Sequence, residues 1–130
     1  LSPSLGPTMF ILAYLPGSRM ASLFNVVGGH GVGVLSGLAG VVVTGAALEP
    51  SVFLVSSLTA EQMWAAVIAV TMTAFGQVFT RTIHPPAVST ALLIAVGGFH
   101  VTLQDIATLV IGIGLTALVG EPLRRMRAGA

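Results

Sequence analysis

The chain has 130 residues, a mean hydropathy of +1.00, 55% hydrophobic residues and only 7% charged residues. A water-soluble domain of this size carries about a quarter of its residues as charges, so a soluble globular fold is excluded and an integral membrane protein is expected. The net charge of +1, with every cation an arginine and most of them scattered, gives no footprint for nucleic acid, and the absence of cysteine excludes disulfides, thiolate catalysis and zinc–thiolate sites.

The predicted elements follow from apolar runs and the residues that interrupt them. Residues 5–15 form a short apolar helix ended by Pro16-Gly17; some eleven residues rise only ~16 Å, about half the hydrocarbon thickness. Because the chain opens on Leu1, an N-terminal part upstream of it is expected, either a further helix or a targeting segment. A polar loop over residues 18–25 carries Arg19. Residues 26–48 contain no formal charge and are long enough to span. A connection bracketed by Glu49 and Glu61 follows. Residues 62–80 form the next span, opened by Trp64, a residue suited to the interfacial belt.

The segment Arg81-Thr82-Ile83-His84-Pro85-Pro86-Ala87-Val88-Ser89-Thr90 then breaks the apolar sequence. Two consecutive prolines cannot continue a helix, yet Pro suits the first turn of a new one. A second short helix is therefore predicted over residues 87–96, followed by a Gly97-Gly98 turn, a last span over residues 102–120 and a terminal Arg124-Arg125-Met126-Arg127 cluster. The fold class is an all-α membrane bundle with two short or broken helices, one transmembrane domain over residues 1–130. The arginine cluster predicts a cytoplasmic C-terminus in an inner or plasma membrane, with Arg19 and Arg81 on the same side and Glu49 and Glu61 opposite.

Residues 3–13 lie over residues 85–95 at an offset of 82, matching Pro3 with Pro85, Thr8 with Thr90 and Ala13 with Ala95. Each stretch is followed by a turn and a span with small residues every four positions: Gly29, Gly33 and Gly37 in the first, Thr108, Gly112, Thr116 and Gly120 in the last. Such faces allow close helix approach. If every segment crosses, the two halves run in opposite directions, an inverted repeat of the kind in which transporters hold substrate at helix breaks near the midplane. The competing reading is that glycine and alanine are simply common in membrane helices.

The residues that could bind a ligand concentrate at the break. A new helix N-terminus beside a cation and hydroxyls suits an anion. Arg81 can grip a planar oxyanion in bidentate fashion or be an ordinary interfacial arginine. His84 can donate to an anion or carry a proton near neutral pH, or cap a backbone carbonyl. Thr82, Ser89 and Thr90 add hydroxyl donors. Asn25 and His30, beside Gly28 and Gly29, can form the other wall, joined by Thr8 if the repeat is real. Gln77 is expected to hydrogen-bond between helices, and His100 is assigned nothing. No pair of histidines has the spacing of a chelate and no acid can orient His30 or His84, so neither a metal, a cofactor nor an enzyme is expected.

The run from Thr80 to Leu92 closely resembles the signature of the HPP family, and Asn25-Val26-Val27-Gly28-Gly29-His30 is similar to its second signature. Two departures stand out: Ser18-Arg19-Met20-Ala21-Ser22-Leu23 lacks the prolines and glutamine usual there, and Val88 stands where the family usually has glycine. The resemblance implies a small multi-helix membrane protein, in some members fused to soluble regulatory domains, with plant members implicated in plastid nitrite transport. The expectation is a homo-oligomeric transporter or channel for a small inorganic anion such as nitrite. The alternative is a non-transporting sensor or scaffold.

Overall fold

The computed structural model describes residues 4–99 and 102–129; Pro3 and His100 lie outside them. The described residues form α1 (Leu5–Tyr14), α2 (Leu23–Thr44), a short α3 (Val52–Val55), α4 (Ala60–Thr80), α5 (Ala87–Ala95) and α6 (Leu103–Ala128), with single 3-10 turns at Arg19–Ala21 and Ala46–Leu48. Of these, α2, α4 and α6 are long and apolar enough to cross a membrane.

Local chemistry sets the boundaries. Ser22 caps α2 by accepting from the Asn25 amide, and Gly45 at φ 79° ends it, so α2 starts and stops a few residues earlier than its apolar run suggests. A capping box, in which Thr59 and Gln62 satisfy each other's backbone N–H groups, starts α4. The last helix continues eight residues beyond its predicted end at Gly120, through Pro122 to Ala128. There Glu121 receives hydrogen bonds from both Arg124 and Arg125, offsetting part of the positive charge that had suggested a stop.

Where the long helices meet, the interior is rich in small side chains, while many of the large apolar ones face outward. Ala65, Ala69, Ala87, Ala91 and Ala95 are fully buried, while Phe75, Phe79, Leu48 and Trp64 are exposed. In water that distribution would leave the largest apolar residues unburied; in a bilayer, lipid covers them, and small residues let helices touch closely. The protein is an integral membrane helical bundle.

Contacts between helices give their directions. Gly40 of α2 meets Ala65 of α4, and Gly76 of α4 meets Val32 of α2, so these two run antiparallel. The residues of α5 climb in step with α2: Ala87 O lies against Gly33 and Ala91 O against Gly37. In the same way α1 climbs with α6, Leu5 against Gly112 and Leu12 against Gly120. Since Arg124 near the end of α6 donates to the Pro16 carbonyl, and Asn25 near the start of α2 donates to the Arg19 carbonyl, the end of α1 shares one end of the bundle with the start of α2. The pair α1–α2 therefore traverses the bundle in the opposite sense to the pair α5–α6. Each short helix packs on the long helix of the other pair.

Both short helices start inside the bundle. Leu5 faces Gly112, nine residues into α6, and Ala87 faces Gly33, ten residues into α2. At 1.5 Å per residue, each start lies roughly 14 Å from the end of its neighbouring long helix, near mid-depth.

Candidate functional site

The non-helical residues 81–86 survive within the bundle because neighbouring groups satisfy their backbone. Arg81 closes α4 in the left-handed conformation, φ 58°, its N–H bonded to Val78 O at 3.3 Å. The Thr82 N–H then returns to Gln77 O at 3.0 Å. The Gln77 side chain clasps the backbone of His84 on both sides of its Cα: Oε1 accepts from the His84 amide at 2.8 Å, and Nε2 donates to the His84 carbonyl at 3.1 Å. On the other side the break lies flush against α2. A Cβ on Gly29 would stand 2.6 Å from His84 Cβ and 3.0 Å from Thr82 O, so only glycine admits this approach.

His84 is thereby pressed inward and meets three other fully buried polar side chains, Thr8, His30 and Thr90. Thr8 Oγ1 lies 2.9 Å from His30 Nε2 and 3.1 Å from His84 Nε2. His30 Nδ1 lies 2.9 Å from Thr90 Oγ1, and His84 Nδ1 lies 2.9 Å from the Met20 carbonyl. The two imidazole rings are 5.1 Å apart between centroids.

The proton positions follow from donor and acceptor rules. A carbonyl only accepts, so His84 Nδ1 carries hydrogen and, in the neutral ring, Nε2 accepts. Thr8 then donates to His84 Nε2 and accepts from His30 Nε2–H. That leaves His30 Nδ1 as an acceptor for the Thr90 hydroxyl. The result is one directional chain, Thr90 to His30 to Thr8 to His84 to Met20, in which every link is made once. Among the described residues no carboxylate or guanidinium bonds either ring, and no group of three or more His, Cys, Asp or Glu could hold a metal ion.

Arg81 does not join this chain. Although only three residues from His84, it is exposed at the end of α4 and lines a groove of about 420 Å³ with Ser18, Arg19, Met20, Asn25, Val78 and Ile83. Arg19 is exposed there too, and among the described residues neither guanidinium is paired with a carboxylate. The loop carrying Arg19 is pinned by Asn25 Nδ2, which donates to the Arg19 carbonyl. Met20 belongs to both sites: it lines the groove, and its carbonyl holds His84.

The sequence-predicted residues therefore divide. Thr8, His30, His84 and Thr90 are brought together; Asn25 and Arg81 line the groove. Thr82 is buried, bonded to Thr80 Oγ1 at 2.7 Å and packed on Gly28. Ser89 lies away from both sites, beside Pro7, Phe10, Pro85 and Pro86. The first amides of α5 are already used, Ala87, Val88 and Ser89 donating to the carbonyls of His84, Pro85 and Pro86 at 3.0–3.1 Å, so they do not present free donors to an anion. Sequence reasoning left out Arg19 and the Met20 carbonyl. The signal for Arg19 was its place in a polar loop just ahead of the glycine face; the Met20 carbonyl had none.

A cavity of about 550 Å³ lies elsewhere, between α1, α5 and α6, lined among the described residues by Leu5, Phe53, Leu93, Phe99, Leu109 and Leu115 among others and by no charged side chain. Its polar lining is limited to Thr108 and Thr116, whose hydroxyls donate to the Gln104 and Gly112 carbonyls.

No curated protein and no solved structure matches the chain. The model of the HPP transmembrane region, in contrast, matches residues 1–123, which takes in both the break and the glycine face of α2. The chain belongs to the HPP family of transmembrane proteins.

Proposed function

We propose that this protein is a transporter or channel for a small monovalent oxyanion, with nitrite as the first substrate to test. The observation that carries the reading is the groove in which Arg19, Arg81 and Asn25 converge without a carboxylate, one residue from a buried polar chain at mid-depth. A guanidinium presents two parallel N–H groups that match a bent or planar oxyanion, and such charge-assisted bonds contribute ~1.5–3 kcal/mol each. Arg19 and Arg81 gather the anion at one end of the bundle. The short helices α1 and α5, starting near mid-depth, line the way onward. Exposed apolar faces on α4 and α6 allow copies of the chain to pack side by side, and cross-linking in native membranes tests that assembly.

Uptake of nitrite into liposomes holding the purified protein, with nitrate, formate and chloride as competitors, tests the reading. Saturable, competed uptake is expected, and Arg81→Gln should lower it about tenfold, the equivalent of ~1.4 kcal/mol. Unchanged flux in a folded Arg81→Gln protein removes the assigned groove. If the folded wild-type protein carries no anion at all, transport is wrong and a sensor or scaffold takes its place.

A further inference from the structure

The buried chain has a property that simple packing does not require: it can take one extra proton and keep all its hydrogen bonds. In the neutral state the Thr8 hydroxyl donates to His84 Nε2 at 3.1 Å. Thr8 Oγ1 also lies 3.4 Å from the Ser4 carbonyl, a second acceptor. When the hydroxyl hydrogen turns to Ser4 O, both lone pairs of Thr8 Oγ1 face the two Nε2 atoms. His84 Nε2 can then bear hydrogen and donate to Thr8, just as His30 Nε2 already does. The groups facing the pair are Thr8 from α1, Thr90 from α5, Gln77 from α4, Gly29 from α2 and the Met20 carbonyl from the loop. Among the described residues the only titratable groups among them are the two histidines themselves; Arg19 and Arg81 lie outward, at the groove beyond Met20.

We propose that Thr8, His30, His84 and Thr90 form a one-proton carrier, so that the anion crosses together with a proton. The second clause rests on the anion reading above; the first does not. In the step itself a hydronium reaching the chain gives up a proton and leaves as water, and an N–H bond forms at His84 Nε2 while the Thr8 hydroxyl rotates to Ser4 O. Release reverses it. The physical motive is charge: an isolated anion in a low-dielectric interior is strongly disfavoured, and an imidazolium at mid-depth offsets it.

The test uses the full chain in liposomes enclosing a pH-sensitive dye, with membrane voltage clamped by potassium and valinomycin and protein-free liposomes subtracted for passive nitrous acid. An inward nitrite gradient should acidify the lumen, one proton for each nitrite. Thr8→Val should lower that coupled uptake at least tenfold, and Thr8→Ser, which restores the hydroxyl, should recover it. Nitrite uptake by wild-type protein without acidification overturns the inference and leaves the anion reading standing. No nitrite uptake overturns the anion reading, and an imposed pH gradient then decides the carrier: proton entry that is fast in wild type and slow in Thr8→Val upholds it, and equal entry in the two overturns it. If Thr8→Val does not fold, the wild-type stoichiometry decides the matter where nitrite enters, and where it does not, proton entry by wild type no faster than in protein-free liposomes overturns the carrier and faster entry upholds it.

Discussion

The two short helices sit on their long partners by different means. Where α5 and the break meet α2, glycine faces backbone or the Cβ and Cγ atoms fixed to it: a Cβ on Gly33 would lie 2.5 Å from Ala87 O, one on Gly29 2.6 Å from His84 Cβ, and one on Gly37 2.9 Å from Ile94 Cβ and 3.0 Å from Ala91 O. Where α1 meets α6, glycine faces the ends of side chains: a Cβ on Gly120 would lie 2.3 Å from Leu12 Cδ1, and one on Gly112 would lie 3.1 Å from Leu5 Cδ1. Backbone cannot withdraw without moving a helix, whereas a leucine can change rotamer. The α2–α5 contact is thus a fixed seam and the α1–α6 contact an adjustable one. His30 belongs to the fixed side and Thr8 to the adjustable side, so the bond joining them crosses from one to the other.

Substitutions can break or sharpen that contrast. The largest effect is expected for Gly33→Leu, which forces a branched side chain into the Ala87 carbonyl; overpacking of this kind costs ~3 kcal/mol or more against rigid backbone, and the purified protein should fail to give a monodisperse peak in detergent. Next comes Gln77→Leu, which leaves the His84 amide without its acceptor and removes a donor to its carbonyl. At ~1–3 kcal/mol for a buried unsatisfied group, its thermal unfolding midpoint should fall clearly while the helix content measured by circular dichroism persists below it. Gly120→Ala should cost under ~1 kcal/mol, because Leu12 can yield; a loss as large as that of the Gly33 variant would show that the α1–α6 contact is as fixed as the other. The smallest effect is expected for Arg125→Gln, which removes an exposed i,i+4 pair with Glu121 worth ~0.3–0.5 kcal/mol, and its unfolding midpoint should match that of the wild type within error.

Much of this architecture was legible along the chain. The double proline placed the break, and the four-residue spacing of Gly29, Gly33 and Gly37 marked the face on which the break and α5 rest. The offset of 82 paired Thr8 with Thr90, and the two threonines bond opposite nitrogens of His30. Other features left no mark. Arg81 and His84 look like partners because they are three residues apart, but the left-handed turn at Arg81 throws its side chain outward while Gln77 holds His84 inward. The Met20 carbonyl is a backbone group, and nothing in a residue's identity says where its carbonyl will point. The extension of α6 past Gly120 was hidden because Glu121 and the arginines look like an exit from the membrane until their mutual bonds are seen.

The clasp of Gln77 on the His84 backbone has a kinetic side. Opening that backbone to solvent requires breaking two side-chain bonds together and lifting the break off Gly29, so the His84 amide is tied to separation of α4 from α2 rather than to local fraying. In deuterated buffer it should therefore hold its hydrogen about as long as amides in the middle of α4, although it belongs to no helix and is followed by two prolines. Irregular chain inside this bundle is thus expected to open as slowly as the helices around it.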